Sequence, residues 1–493
     1  MIDNDKIYFD LERAPLASER KEKRELRKRR ILTSLLCLFF LLIGLLAGYF
    51  INKVLYPSEQ VESSQVMGEI EYAMENQWLY SDQYDDLKTE LEDKAFYGMT
   101  SFEDDVYTSY MSAKEMDEFS TGINMDYVGI GVQYSKNEDL AIVVKVFKGS
   151  PAELVGIKAG DIIKAVDGAD ITDMTSDEVK ERVIGPEGTD VVITVTRDGK
   201  DIDCVCTRAS INSSVYAYRE NDYVVLELNS FGTNTAQECV KYLDEYTDLE
   251  KIIIDVRDDS GGYQTSVQEL CGLFIGPNKV YLRQKGVDGK ESFDYTNAIR
   301  HYTNFKKIVI LINENTASAA EVFAIALKEQ HPGVRLVGTT SYGKGVIQTN
   351  KMLSNGGVLK MTAYYWYSPN GNSIHNVGVT PDQEVRMHDV YYEYFTSIDE
   401  GVTYELDSVS EFVRISQLAL DYLDYDVART DGYFDQSFAT ALNKFKVDRG
   451  MANDSILDSL TFNAIVSAAS REIVDNPIKD YQLVRAKEIL SGN

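Results

Sequence analysis

The chain has 493 residues, of which 44% are apolar and 11% aromatic, and a formal net charge of −29. That length has room for several domains, and that composition excludes a wholly disordered chain. The acidic balance argues against nucleic acid as a partner, which requires a basic face.

Taken in chain order, residues 1–30 form a tail whose run from Arg20 to Arg30, RKEKRELRKRR, is dense in cations. Ile31–Ile51 then carries no charge, and roughly 20 apolar residues suffice to cross a bilayer. A cleaved signal would have a shorter apolar core, about 7–15 residues, and a small-residue cleavage site after it. The following GYFINKVLYP offers no such site. The expectation is one retained transmembrane helix over 31–51 in the cell membrane. Cations before the span keep that end cytoplasmic, so everything after Asn52 is expected outside.

Residues 58–123 repeat apolar positions at three and four and predict a helical region for packing and assembly, hence a homo-oligomer. Over 124–208 the texture changes to short β runs, YVGIGVQY, AIVVKVF, DIIKAVDG and VVITVTRDG, with Gly and Asp turns between them. Two short helical stretches, around Pro151–Val155 and Ser176–Val183, complete a small barrel-like β domain. Residues 209–390 alternate apolar strands (YVVLELNSF, KIIIDVR, KIVILIN) with amphipathic helices, the pattern of an α/β core covered on both faces. Past an acidic linker, 410–470 predicts a small helical domain.

Five cysteines, Cys37, Cys204, Cys206, Cys239 and Cys271, show no metal spacing and are too sparse for a disulfide scaffold. Cys204 and Cys206, two apart in a strand, face one way as buried thiols. With no HExxH and no CxxC, neither a metal nor a cofactor is expected.

Two strand ends carry chemistry. IIIDVRDDSGG ends in Gly261 and Gly262, and VILINENTASAAE places Ser318 at a helix start. Helix N-termini present free N–H groups, the raw material of an oxyanion site. A serine there is also the ordinary helix cap, so the assignment turns on a base. The four histidines, His301, His331, His375 and His388, lie in no glycine-rich or strand-end motif. Lys344, between Gly343 and Gly345 in SYGKGVIQ, is either a surface turn lysine or a buried amine. Desolvation disfavours the charged form, and a neutral amine can accept the Ser318 proton.

The three motifs DVRDDSGG (255–262), NENTASAAE (313–321) and YGKGVIQ (342–348), in that order, resemble those of the C-terminal processing peptidases of family S41. The likeness covers about residues 65–390. It implies Ser318 as nucleophile, Lys344 as general base and Gln348 as the group orienting the lysine. The N–H of Ala319 and that of Gly261 or Gly262 are then the oxyanion hole. The β domain resembles that family's PDZ domain, which captures a peptide C-terminus as an added strand with loop N–H groups on its carboxylate. That loop here is Gly129-Ile130-Gly131-Val132, and GSPAELVGIKAGDIIKAVDG follows it.

Residues 413–465, with Gln417, Leu420, Leu423, Asp431-Gly432-Tyr433-Phe434-Asp435 and Phe445, resemble a peptidoglycan-binding helical domain, against which a packing or oligomerisation module stays open. The fold class expected is therefore an α/β peptidase core with an inserted PDZ-like domain. A helical region behind one transmembrane helix precedes it and a small helical domain follows. Its partners are protein substrates with free C-termini, the membrane and peptidoglycan. The other functional reading is a cell-wall-associated binding protein using the PDZ-like and C-terminal domains.

Four departures from the family pattern stand out. The Ser-to-Lys spacing is one residue longer, through an extra residue near His331–Gly333. Asp259 replaces the frequent Asn, Lys446 replaces the usual Gln, and Ile184 replaces an arginine that senses bound substrate, with Arg182 as the nearest stand-in.

Overall fold

The computed structural model describes residues 17–55, 59–137, 139–212 and 214–492. Residues 1–16 of the expected tail, residue 58 of the helical stretch, residue 138 in the β domain and residue 213 in the α/β core lie outside the described residues. The chain divides into two units, the second beginning at Thr100.

The first unit is helical: α1 (Ala17–Leu55), α2 (Glu59–Gln77) and α3 (Leu87–Thr100). Within α1, residues 24–48 are long and apolar enough to cross a membrane, with mean hydropathy 2.6 and no burial against protein.

The second unit opens with a short strand where the sequence pattern predicts helix. Asp105 accepts the backbone N–H groups of Tyr107 and Thr108, an Asx-type turn that competes with helix. Strand β1 (Ser109–Met111) follows, then α4 (Ala113–Asn124), started by a capping box of Ser112 and Glu115.

The β domain contains β2 (Asp126–Gly129), β3 (Val132–Asn137), β4 (Leu140–Val146), α5 (Pro151–Leu154), β5 (Ile162–Val166), β6 (Ala169–Asp170), α6 (Ser176–Val183), β7 (Asp190–Arg197), β8 (Lys200–Thr207) and β9 (Ala209–Asn212). Its sheet runs β3-β4-β5-β7-β8, with β6 on β5. Strands β2 and β9 pair antiparallel, so entry and exit of this insertion lie side by side. Cys204 and Cys206 both face its core as free buried thiols.

The core domain contains β10 (Val215–Glu220), β11 (Tyr223–Leu228), α7 (Thr235–Leu243), β12 (Lys251–Asp255), α8 (Gln264–Ile275), β13 (Val280–Gly286), β14 (Glu291–Tyr295), β15 (Lys307–Ile312), α9 (Ala319–Gln330), β16 (Val334–Gly338), β17 (Val346–Met352), β18 (Val358–Tyr367) and β19 (Gln383–Glu384). A six-stranded sheet, β10-β11-β12-β15-β16-β19, is parallel apart from β10. A second, antiparallel sheet runs β1-β18-β13-β14, with β17 on β18. The His331–Gly333 turn, where the extra residue is expected, joins α9 to β16.

Strand alternation gives the parallel sheet two apolar faces. Leu226, Ile252, Ile254, Ile308 and Ile310 pack with α7, α8 and α9. Val225, Ile253, Val309 and Leu311 face the other way, under α13 (Tyr481–Ser491). That last helix lies beyond the stretch predicted helical, and Leu483, Ala486 and Leu490 seal the second face. Each buried leucine contributes roughly 1.5–3 kcal/mol relative to exposure.

The helices α10 (Glu411–Tyr422), α11 (Gln436–Asp448) and α12 (Ser459–Asp475) share a core with Leu140 and Ile142 of β4. The Ser467 hydroxyl donates to the Gly160 carbonyl, and Arg449 and Arg471 both reach Asp198. The C-terminal helices thus grip the β domain and, through α13, the parallel sheet. Lys446 is buried on Asp454 and the Ile456 carbonyl.

Candidate active site

Ser318 stands between β15 and α9 with φ 55° and ψ −114°. A non-glycine residue held there stores about 1–3 kcal/mol and must be fixed by its surroundings. The fixing group is Glu321, one turn into α9 and 0% exposed. Its Oε2 accepts the Ser318 N–H at 2.8 Å and the Lys344 N–H at 2.9 Å. Its Oε1 accepts the Gly343 N–H at 2.7 Å and the Ser341 hydroxyl at 2.5 Å. One buried carboxylate therefore joins the serine turn to the lysine loop, with the two residues' amides on a single oxygen. Burial pushes the Glu321 carboxyl above its ordinary range, against the four donors that favour its anion.

The lysine loop is tied down elsewhere too. The Trp366 indole donates to the Lys344 carbonyl at 2.8 Å, and the Tyr342 N–H donates to Thr316 beside the serine. Burial lowers the Lys344 ammonium below the ordinary lysine range; the nearby Lys360 charge adds to this and Glu321 opposes it. Gln348 Nε2 donates to Thr362 Oγ1 at 3.3 Å.

The glycine loop lies against the serine turn. Thr316 Oγ1 donates to the Val256 carbonyl, and the Ala317 N–H to that of Asp259. Gly262, at φ 153°, lets the loop run beside Phe231, where a Cβ would meet the Phe231 carbonyl oxygen at 2.4 Å. In that parallel bridge the Phe231 N–H donates to Gly261 and the Tyr263 N–H to Phe231, so the Gly262 N–H points away from Phe231. The Gly261 N–H is committed to Asp259 Oδ1 at 2.7 Å. Of the two glycines expected at an oxyanion site, Gly262 is the one whose N–H no described hydrogen bond engages, while Gly261 is the one packed against the Ala319 nitrogen at the first position of α9.

Asp259 is 1% exposed, its Oδ2 has no partner among the described residues, and burial pushes its carboxyl well above the ordinary range. That direction favours the protonated carboxyl, whose shape and single accepting oxygen are those of an asparagine. Asp259→Asn is expected to keep kcat/KM within about threefold, since an uncharged side chain that accepts from Gly261 is retained. A folded pKa above the unfolded one means that wild-type stability falls as pH rises above the unfolded value. The variant should therefore melt higher than wild type at pH 8 and no higher at pH 4. Equal melting at both, by calorimetry, would mean that Asp259 is ionised in the fold.

Ser318, Lys344, Gln348, Ala319, Gly261 and Gly262 line one cleft of about 1820 Å³. Pockets for small ligands occupy about 300–1,000 Å³, so this one has room for a polypeptide. Gly129, Ile130, Gly131 and Val132 line it as well. The Ile130 side chain is 2% exposed in the β-domain core, so only its backbone is offered. Gly131, at φ +77°, has the Ser150 Cβ 2.3 Å from where its own Cβ would stand, so a bulky replacement there disrupts the domain before it tests a ligand. Ile184 lines the cleft, whereas Arg182 is exposed on α6 and does not. None of the four histidines lines the cleft.

Glu321 stands in the motif NENTASAAE, but nothing in the string distinguishes its role from that of a helix-cap acid. Its function depends on donors some 20 residues away in sequence.

The family model of peptidase family S41 matches residues 222–385, and that of the PDZ domain matches residues 128–206. A probable CtpA-like serine protease of Staphylococcus epidermidis is 30% identical over 398 residues, 80% of each chain. One from Staphylococcus haemolyticus is 28% identical over 404 residues, 81% of this chain and 80% of its own. Among solved structures, the photosystem II D1 C-terminal processing protease aligns at 21% identity with TM-score 0.41, over 67% of this chain and 93% of that one. A likeness that loose places no side chain.

Proposed function

The chain belongs to the S41 serine peptidases, with a PDZ domain inserted ahead of the peptidase core, and on that premise we propose that it cuts proteins with Ser318 as nucleophile and Lys344 as general base. The observation that carries this is the joint anchoring of both residues on Glu321 in a cleft without histidine. The neutral Lys344 amine takes the Ser318 proton as the oxygen attacks a peptide carbonyl. The resulting oxyanion is held by the Ala319 and Gly262 N–H groups. The Lys344 ammonium then protonates the departing amine, and water, deprotonated the same way, releases the acyl group. Gln348 orients the lysine.

Substrates enter by their C-termini. Supporting this, the Ile130 and Gly131 N–H groups lie between β2 and β3, and no described hydrogen bond engages them. Lys180, on α6, lines the same cleft with its amine 5.2 Å from the Tyr127 ring. Amidating the C-terminus of a peptide substrate is expected to raise KM about tenfold or more, because a charge-assisted hydrogen bond contributes about 1.5–3 kcal/mol. Equal KM for acid and amide would remove the carboxylate-reading role.

The apolar run of α1 is proposed as a single membrane span with the peptidase outside the cytoplasm. A reporter fused at the C-terminus and active only outside the cytoplasm should report activity. For residues 410–470 we propose peptidoglycan as an outside partner, which retention of the purified chain on wall material tests.

A further inference from the structure

The segment between α3 and α4 lies far from every motif, yet it reaches the lysine. The Tyr107 ring centroid is 4.8 Å from Lys344 Nζ. The segment is fastened for this. Asp105 accepts the Thr108 hydroxyl at 2.6 Å and the Thr362 hydroxyl at 3.0 Å, and the Thr362 N–H donates to Thr108 Oγ1 at 2.9 Å. Strand β1 pairs with β18 through Ser109 and Lys360, Tyr110 and Leu359, and Met111 and Val358. Asn355 Nδ2 donates to the Tyr110 hydroxyl at 2.9 Å.

These bonds also have a direction. A carboxylate only accepts, so the Thr362 hydroxyl spends its hydrogen on Asp105. Thr362 must then accept from Gln348 Nε2, which turns Oε1 to the opposite side of the amide. Asp105 thereby sets which end of Gln348 is available to an amine.

Two effects of an aromatic face on a lysine compete. Cation–π attraction, about 0.5–2 kcal/mol, favours the ammonium. Exclusion of water disfavours it, and the Lys344 ammonium lies below the ordinary lysine range with desolvation as the largest cause. The other groups facing the lysine are Glu321 from α9, Lys360 from β18 with its amine over the Phe119 ring, Tyr342 from the same loop, and Asp105 behind Tyr107. His375 packs against the Gly345 backbone.

We propose that Tyr107 is a positioning residue for the general base: its ring shuts water away from Lys344, while Asp105, through Thr362, fixes the sense of the Gln348 amide. This rests on the Ser–Lys reading. The test is kcat/KM against pH for the full-length chain in detergent, with Tyr107→Ala, Tyr107→Thr (a residue an extended segment accepts), Tyr107→Phe and Thr362→Val. Tyr107→Ala and Tyr107→Thr should move the rising midpoint up by about one pH unit, costing about tenfold at neutral pH and recovering at high pH. Tyr107→Phe should keep the wild-type midpoint, and Thr362→Val should lower kcat about tenfold with KM unchanged. An unshifted midpoint in whichever of the alanine and threonine variants folds overturns the role of Tyr107, whatever the loss in rate. Unchanged kcat in Thr362→Val overturns the relay. An active Lys344→Ala control overturns the Ser–Lys reading instead, so the two failures are told apart.

Discussion

Lys344→Ala is expected to lower kcat by about four orders of magnitude while the chain stays folded, the upper range for loss of a positioned proton acceptor. The reactive form is the neutral amine. An ordinary lysine has a pKa near 10.4 and is almost wholly protonated at neutral pH. Burial depresses Lys344, first by desolvation and then by the Lys360 charge. Below its folded pKa the group holds its proton and is inactive; above it the amine is free. Wild-type kcat/KM should therefore rise with pH through the depressed value and level off. Lys344→Arg should fail as fully as alanine, because guanidinium keeps its proton throughout this range. Ser318→Ala should be equally inactive, and the double variant no worse than either single one, as for groups acting as a unit. Alanine at each of the four histidines should leave most of the activity, since none lines the cleft. If one of those changes abolishes turnover while a folded Lys344→Ala retains most of it, the base is a histidine.

How much of this was legible in the sequence depends on the range of the interaction. Ser318, Lys344 and the glycine pair stood out because each sits in a short string that resembles a family motif, and the structure brings all of them to one cleft. The apolar strands showed through composition alone, since Ile252–Ile254 has to be apolar on both sides. The cover for their second face did not: α13 lies well over 100 residues from β15 in sequence, and its leucines look like those of any amphipathic helix. Tyr107 was hidden for a similar reason. DDVYTSYM has no signal of its own, and only pairing with β18 delivers the ring to the lysine. That the Gly261 N–H is spent on Asp259 and the Gly262 N–H is not lies in hydrogen-bond directions, which no string of residue names contains.

Glu321→Gln is the second large effect expected, and it asks whether the nucleophile and base are held as one piece. The carboxylate accepts from two directions on each oxygen. A glutamine has one accepting oxygen, so in either orientation an NH2 group faces donors that had an acceptor. If it faces Oε2's partners, the Ser318 and Lys344 N–H groups are orphaned. If it faces Oε1's, the Gly343 N–H is orphaned and the Ser341 hydroxyl must turn, although its oxygen already accepts the Val379 N–H at 2.6 Å. Each buried donor without a partner costs about 1–3 kcal/mol, so the variant should lose about 2–5 kcal/mol of stability or relax by moving the loop. The relaxed route moves Lys344, and a displacement of about 1 Å can cost a hundredfold in rate. Glu321→Gln is therefore expected to lower kcat/KM about a hundredfold or more, with a lower melting temperature and with binding of a C-terminal peptide intact. Combined with Lys344→Ala it should add almost nothing to the rate loss, because the base it positions is already gone. A fully active, equally stable Glu321→Gln would mean that the serine turn and the lysine loop hold their places independently.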